Sequence, residues 1–202
     1  MKEQELLAQY LPQESVELVY RWIIENKIHF KISKTRRTKL GDYRPPIHHS
    51  NHRITINHDL NSYAFLITFV HEVAHLKIFE RFGTRVSPHG NEWKSEYQQL
   101  MQPFLENSSF PDDVKQVLIQ SLINSKASST SDIKLTRVLQ HYDKSSNHIH
   151  LETLESDTVF NTENGKQFKK GERIRTRYKC LSLNNNRYYL FHPLTPVLPV
   201  QG

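Results

Sequence analysis

Apolar positions follow two rhythms along this chain, and the change of rhythm divides it. Between residues 14 and 26, Val16, Val19, Tyr20, Ile23 and Ile24 recur at three- and four-residue spacing. That spacing predicts an amphipathic helix, with Glu14 and Glu17 suited to its first turn. Residues 28–32 read as a short strand, and residues 53–57, RITIN, alternate like a second strand or a sheet edge. Between them runs a basic stretch with strand-like and turn-like pieces, ended by Pro45 and Pro46. Residues 62–82 form the most apolar segment, and their apolar positions nearly encircle a helix, which predicts a buried one. Asn61 or Ser62 suits its cap, and Gly83 follows its end. A further helix is expected from about Gly90 to Phe104, stopped near Pro103, and a short one over 111–124.

Residues 125–131, SKASSTS, have the composition of a linker, and 132–150 are polar with no clear period. After Leu151 the rhythm becomes alternation. Turns are expected at Asn164-Gly165, Lys170-Gly171 and Asn184–Asn186, which predicts about three or four antiparallel strands. The expected organisation is a core over 1–124, a polar linker over 125–150 and a small basic β domain over 151–202. No internal repeat interrupts it.

Composition narrows the class. Hydrophobic residues make up 37% of 202, enough for a packed core. No run of about 18 apolar residues occurs, so no membrane-spanning helix and no membrane partner are expected. The first 22 residues lack an apolar h-region, so no secretory signal is expected. Cys180 is the one cysteine, which excludes an internal disulfide framework and a multi-cysteine zinc knot. A cytoplasmic location follows as the expectation.

Charge is unevenly placed. The net +6 hides two basic segments. Residues 27–53 hold eight cations and one acid, and residues 158–202 hold eight cations and two acids. Such segments suit an anionic partner. In the tail, Lys169, Lys170, Arg173, Arg175, Arg177 and Arg187 interleave with Phe168, Tyr178, Tyr188 and Tyr189. Cations meet phosphate and aromatic faces stack bases, so these residues, with Arg36 and Arg37, are the candidate nucleic-acid contacts. If RIRTRYK is extended, Arg173, Arg175, Arg177 and Lys179 form a stripe on one strand face.

The chemistry concentrates in His71-Glu72-Val73-Ala74-His75, an H-E-x-x-H pattern within the most apolar segment. On a helix, positions i and i+4 share a face, so His71 and His75 can reach one Zn²⁺. Glu72 can act as general base toward a metal-activated water. A catalytic zinc needs a third protein ligand, and Glu80, His89, Glu92 and Glu96 are candidates. Glu80 points to another face of its helix. His89 is favoured over Glu92, and Gly90 beside it suits a close approach of two helices.

The other histidines suit plainer roles. His48, His49 and His52 can bind a second metal or line a cleft, but a polar loop entering a strand is favoured. His58 suits polar contacts before the helix, and His148 and His150 sit in a polar loop. Cys180 is expected as a packed β residue.

Four blocks taken in order resemble the SprT-like metallopeptidase family, which includes the Spartan-type DNA–protein crosslink proteases. They are RTKLGDYR at 37–44, RITIN at 53–57, HEVAH at 71–75 and HGNEW at 89–93, within about residues 15–105. The resemblance implies an α+β fold built on a minimal zincin-like core, here with a small antiparallel β unit appended. It implies one catalytic zinc on His71, His75 and His89, with Glu72 as base. Many members carry a zinc ribbon with two Cys-x-x-Cys pairs. Here YKCLSL at 178–183 resembles one knuckle, with Leu183 where the second cysteine would stand, so no metal is expected there. Phe160, Phe168, Tyr178, Leu181, Leu183, Tyr189 and Phe191 are expected to hold the hairpins instead, and His192 to lie at a hairpin end.

The expected function is a zinc-dependent endopeptidase acting on DNA-associated proteins, with single-stranded or duplex DNA as a further partner. Two alternatives stand beside it. One is a nucleic-acid-binding protein whose metal site is structural or vestigial, and the other is a peptidase with no nucleic-acid role.

Overall fold

The computed structural model describes residues 2–36, 38–46, 51–123, 132–143 and 149–200. Helices and two separate sheets make it α+β. The chain divides into two compact units, residues 1–143 and 144–202.

The first unit runs α1 (Lys2–Leu7), α2 (Val16–Glu25), β1 (His29–Ser33), β2 (Gly41–Arg44), β3 (Arg53–Asn57), α3 (Ser62–Phe82), α4 (Asn91–Glu106), α5 (Asp112–Ile123) and α6 (Ile133–Gln140). Its sheet has the order β1-β3-β2, with β1 parallel and β2 antiparallel to the central strand. Alternation on β3 sends Ile54 and Ile56 inward, where both are fully buried. Above them α3 buries Phe65, Leu66, Phe69, Val70, Val73 and Leu76. Each such side chain contributes roughly 1.5–3 kcal/mol on burial. Asn61 caps α3 by accepting from the Ala64 N–H at 2.9 Å, and Gly83 ends it at a φ of 62°.

Two expectations change here. Pro103 does not stop α4, which continues to Glu106. Its missing N–H falls near the helix end, and burial of Phe104 and Leu105 carries the last turn into the core. The 125–150 segment is not wholly a linker, because 133–140 form α6. Asp132 caps α6 through the Lys134 and Leu135 amides, and Leu135 and Leu139 join the core. Asn61 Nδ2 donates to Leu139 O at 2.8 Å, fastening α6 to the start of α3. Residues 125–131 lie outside the described residues.

The loop before β2 is tied down by one buried amide. Asn57 is 1% exposed. Its Oδ1 accepts from Arg36 Nε at 2.8 Å, and its Nδ2 donates to Arg36 O and Lys39 O, both at 3.1 Å. Arg36 also donates to Thr55 Oγ1, Thr55 O and Leu40 O. These bonds hold Arg36, Lys39 and Leu40 against β3 and fix where β2 begins.

The second unit is wholly antiparallel. Its strands are β4 (Ile149–His150), β5 (Val159–Asn161), β6 (Gln167–Lys169), β7 (Arg173–Ile174), β8 (Arg177–Ser182), β9 (Tyr188–Phe191) and β10 (Pro196–Pro199). They run β4-β10-β5-β6-β8-β7, with β9 also on β8. Among the described residues, seven short strands thus replace the three or four expected, because two- and three-residue strands are too short to show alternation. The core is Leu151, Phe160, Phe168, Cys180 and Val197, with Tyr178 and Phe191 against it. Leu183 and Tyr189, expected inside, are 48% and 42% exposed. Among the described residues, no helix is long and apolar enough to cross a membrane.

Replacing Arg36 with Met should lower unfolding stability by about 1–3 kcal/mol, since it strips several acceptors near a buried amide. Urea unfolding measures this. An unchanged midpoint would mean the loop is held by something else.

Candidate metal centre

Helical geometry brings the first two imidazoles together. His71 and His75 lie one turn apart on α3, with Nε2 atoms 3.2 Å apart. His89 comes from the loop between α3 and α4. Its backbone has a φ of +61°, a left-handed conformation that a non-glycine residue adopts only where its surroundings demand it. Its Nε2 lies 3.0 Å from that of His75 and 3.2 Å from that of His71. Three Nε2 atoms therefore form a nearly regular triangle. For a tetrahedral cation with Zn–N of about 2.0–2.1 Å, neighbouring nitrogens are about 3.3 Å apart. The observed edges fit that donor set, so the three histidines can hold one metal ion.

Electrostatics favour the same use. Burial, then the charges of His75 and His89, push the His71 imidazole down to about 3. Burial, then His89, pushes His75 down to about 4, and burial lowers His89. The rings are therefore neutral near pH 7 and offer lone pairs. Trp93 on α4 backs all three, with ring centroids 4.6, 5.3 and 4.8 Å from His71, His75 and His89. Tyr97 stacks on Trp93 at 4.9 Å.

Glu72 is held on the sheet side of α3. Glu72 is 7% exposed. Burial first, and Asp42 second, push it up to about 8, against the Tyr43 backbone N–H and the charges of Arg36 and Lys39. The contact with β2 is very close. A Cβ on Gly41 would sit 2.5 Å from Glu72 Oε1 and 2.7 Å from Thr68 Cγ2. Glycine is required there because no side chain fits. The strand edge also has a defined phase. The Asn57 N–H donates to Leu40 O, so residues 40, 42 and 44 face β3 and residues 41 and 43 face outward. The Tyr43 N–H lies on that open edge, where it offsets part of the effect of burial on the Glu72 carboxyl.

The other third-ligand candidates are engaged elsewhere. Glu80 pairs with Lys77 at 3.0 Å and lies 3.6 Å from His52. Glu96 pairs with Arg81 at 3.1 Å, and Glu92 is exposed. Gly90 does not mediate a helix–helix approach. A Cβ there would meet Ser87 O of its own loop and Glu92 in the first turn of α4, not α3. His52 belongs to the support of β2, its Nδ1 2.9 Å from the Tyr43 hydroxyl and its ring T-shaped to Phe79. His48 and His49 lie outside the described residues, as does Arg37. His58 is exposed.

The candidate nucleic-acid residues separate into two groups. Arg36 is committed to Asn57, Thr55 and Leu40, so it is a structural residue rather than a free cation. Lys170 is 4% exposed. Its ammonium donates to Glu152 O and Leu154 O and sits 4.3 Å from the centre of the Tyr178 ring. Lys169 pairs with Asp157 at 2.7 Å. Arg173, Arg175, Arg177 and Arg187 are exposed. They do not form the expected stripe, because RIRTRYK is a hairpin turning at Arg175 and Thr176, with Ile174 opposite Arg177. Arg173 therefore shares the face of Tyr178, and Arg177 and Lys179 take the other.

The sequence reading missed Trp93, Tyr97 and the Tyr43 N–H. Gly41 inside a strand pattern was the available signal for a close approach.

The Glu72 carboxyl has a stability signature. An acid raised from 4.5 to about 8 binds its proton more tightly when folded, so stability falls as pH rises between those values. In metal-free protein, Glu72→Gln should raise Tm at pH 8 and change it little at pH 4.5. The histidine contributions are common to both proteins and cancel in the difference. Equal effects at both pH values would contradict the burial of a carboxylate.

A protein-family model described as the SprT-like family matches residues 11–116. No curated protein and no solved structure matches the chain. That family is associated with a metallopeptidase-like role, and it suggests zinc for a centre such as this one. The matched span covers more than half of the chain and contains β1 to α4, the three imidazoles and Glu72. The chain belongs to the SprT-like family.

Proposed function

We propose that this protein is a zinc-dependent endopeptidase that acts on proteins associated with nucleic acid. One observation carries the peptidase reading: three neutral imidazole nitrogens converge on the helix whose buried Glu72 carboxyl packs against Gly41 at the open edge of a strand. His71, His75 and His89 would be the zinc ligands. Bound there, the cation would supply a Lewis acid for the scissile carbonyl and make a water nucleophilic near neutral pH.

The chain's own residues do the rest. Glu72 takes the proton of the attacking water and passes it to the leaving amine. A cation held by the three imidazoles would lower the proton affinity of that carboxyl, and Glu72 would then be charged when it acts as base. The Tyr43 N–H orients the carboxylate. An extended substrate can pair along the outer edge of β2, where Gly41 presents its N–H and C=O and Tyr43 its C=O. A purely structural metal site has no use for a carboxylate buried at this cost, which disfavours the binding-protein alternative.

Support for a nucleic-acid partner comes from the solvent face of β8 and β9. Arg177 and Lys179 share that face with Tyr188 and Leu190, and the Lys179 ammonium lies 4.4 Å from the Tyr188 ring centre. Tyr188 is 62% exposed, an aromatic surface available for base stacking.

Two tests follow. Glu72→Gln should keep the metal and lose about 10²–10⁴-fold in cleavage rate. Full activity in that variant would sink the mechanism. His89→Ala should lose zinc where Glu92→Ala keeps it, measured by metal analysis. Separately, Tyr188→Ala with Lys179→Glu should weaken binding of a single-stranded oligonucleotide at low salt, without altering zinc content. Unchanged binding would remove that face from the account.

A further inference from the structure

The first unit has a second open strand edge, on β1, at the other side of its sheet from β2. Its backbone phase can be read from two bonds. The His29 N–H donates to His52 O, and the His58 N–H donates to Ser33 O. In a parallel pair, residues 29, 31 and 33 therefore turn both backbone groups toward β3, leaving those of Phe30 and Ile32 outward. Among the described residues, no hydrogen-bond partner takes them.

A groove of about 940 Å³ runs along this edge. Leu6, Tyr10, Tyr20, Ile23 and Ile24 of the α1–α2 region form its apolar wall. Leu6 and Ile24 are 48% and 55% exposed. Lys27, Lys31 and Lys34 also line it, and Glu3 is the acid that does. None of the three lysines has an ion-pair partner among the described residues. Lysines on a strand edge can serve only to block aggregation. That role does not account for exposed Leu6 and Ile24 beside the same edge.

We propose that this edge captures an extended acidic peptide segment of a partner protein as a fourth strand. Main-chain bonds to Phe30 and Ile32 would hold it, and alternate side chains would face opposite sides. Apolar side chains would enter the groove against Ile23 and Ile24. Acidic side chains would lie on the other face, beside His29 and Lys31, with Lys27 and Lys34 near the ends. The site shares no residue with the His71–His75–His89 centre, so it stands whether or not the protein is a peptidase.

The test uses the full ¹⁵N-labelled chain and a capped seven-residue peptide alternating valine and glutamate. Binding should shift the Phe30 and Ile32 amide signals and slow their hydrogen exchange. Lys31→Glu with Lys34→Glu should weaken binding about five- to ten-fold. Should that variant fold poorly, a peptide N-methylated along its pairing edge decides the matter on the unaltered protein, because it should lose binding altogether. The proposal is overturned by any of three results: no shift at Phe30 and Ile32, equal binding of the lysine counterpart peptide, or the same amides responding to a ten-nucleotide oligothymidylate instead of the peptide.

Discussion

Three imidazole nitrogens within 3.0–3.2 Å of one another, in a half-buried setting, are the constraint around which the first unit is organised. With all three rings neutral, at least one pair of facing nitrogens must meet as lone pair to lone pair or N–H to N–H, and burial opposes protonating them. A divalent cation resolves both problems at once. Without one, the arrangement is a standing cost that the hydrophobic core must outweigh. α3 supplies two rings from a helix that is otherwise almost wholly apolar. The third arrives on a residue held in left-handed backbone, and Trp93 is packed against every ring.

Glu72 depends on the same helix but a different neighbour. The strand that contacts it must lack a side chain at Gly41, must begin where Asn57 and Arg36 place it, and must expose the Tyr43 N–H. The basic stretch before β2 is therefore part of the site's scaffold. This changes the meaning of its charge. Arg36 looks like a free cation in sequence and is a hydrogen-bonding staple in the fold.

The sequence showed the elements with long, regular periods and missed those without. Residues 62–82 came out as a buried helix because twenty-one residues of near-continuous apolarity admit little else. RITIN was legible because a central strand alternates cleanly. α6 was not, because two buried leucines in an eight-residue helix give too short a pattern. The β unit was legible in kind and not in number, since most of its strands have four residues or fewer. At the site, helical spacing alone paired His71 with His75. The position of His89 depends on a loop conformation that spacing does not encode, and spacing does not single out Trp93 as the ring behind all three imidazoles. Hairpin turns explain the largest charge error, because RIRTRYK bends at Arg175 where a continuous strand was assumed.

The central claim is that His71, His75 and His89 together hold one catalytic metal ion. X-ray absorption at the zinc edge of the purified, zinc-loaded protein tests it most directly. The account predicts one zinc per chain, with three imidazole nitrogens at about 2.0–2.1 Å and a light oxygen donor completing the shell. A shell with fewer than three imidazoles, or no stoichiometric zinc at all, would contradict it.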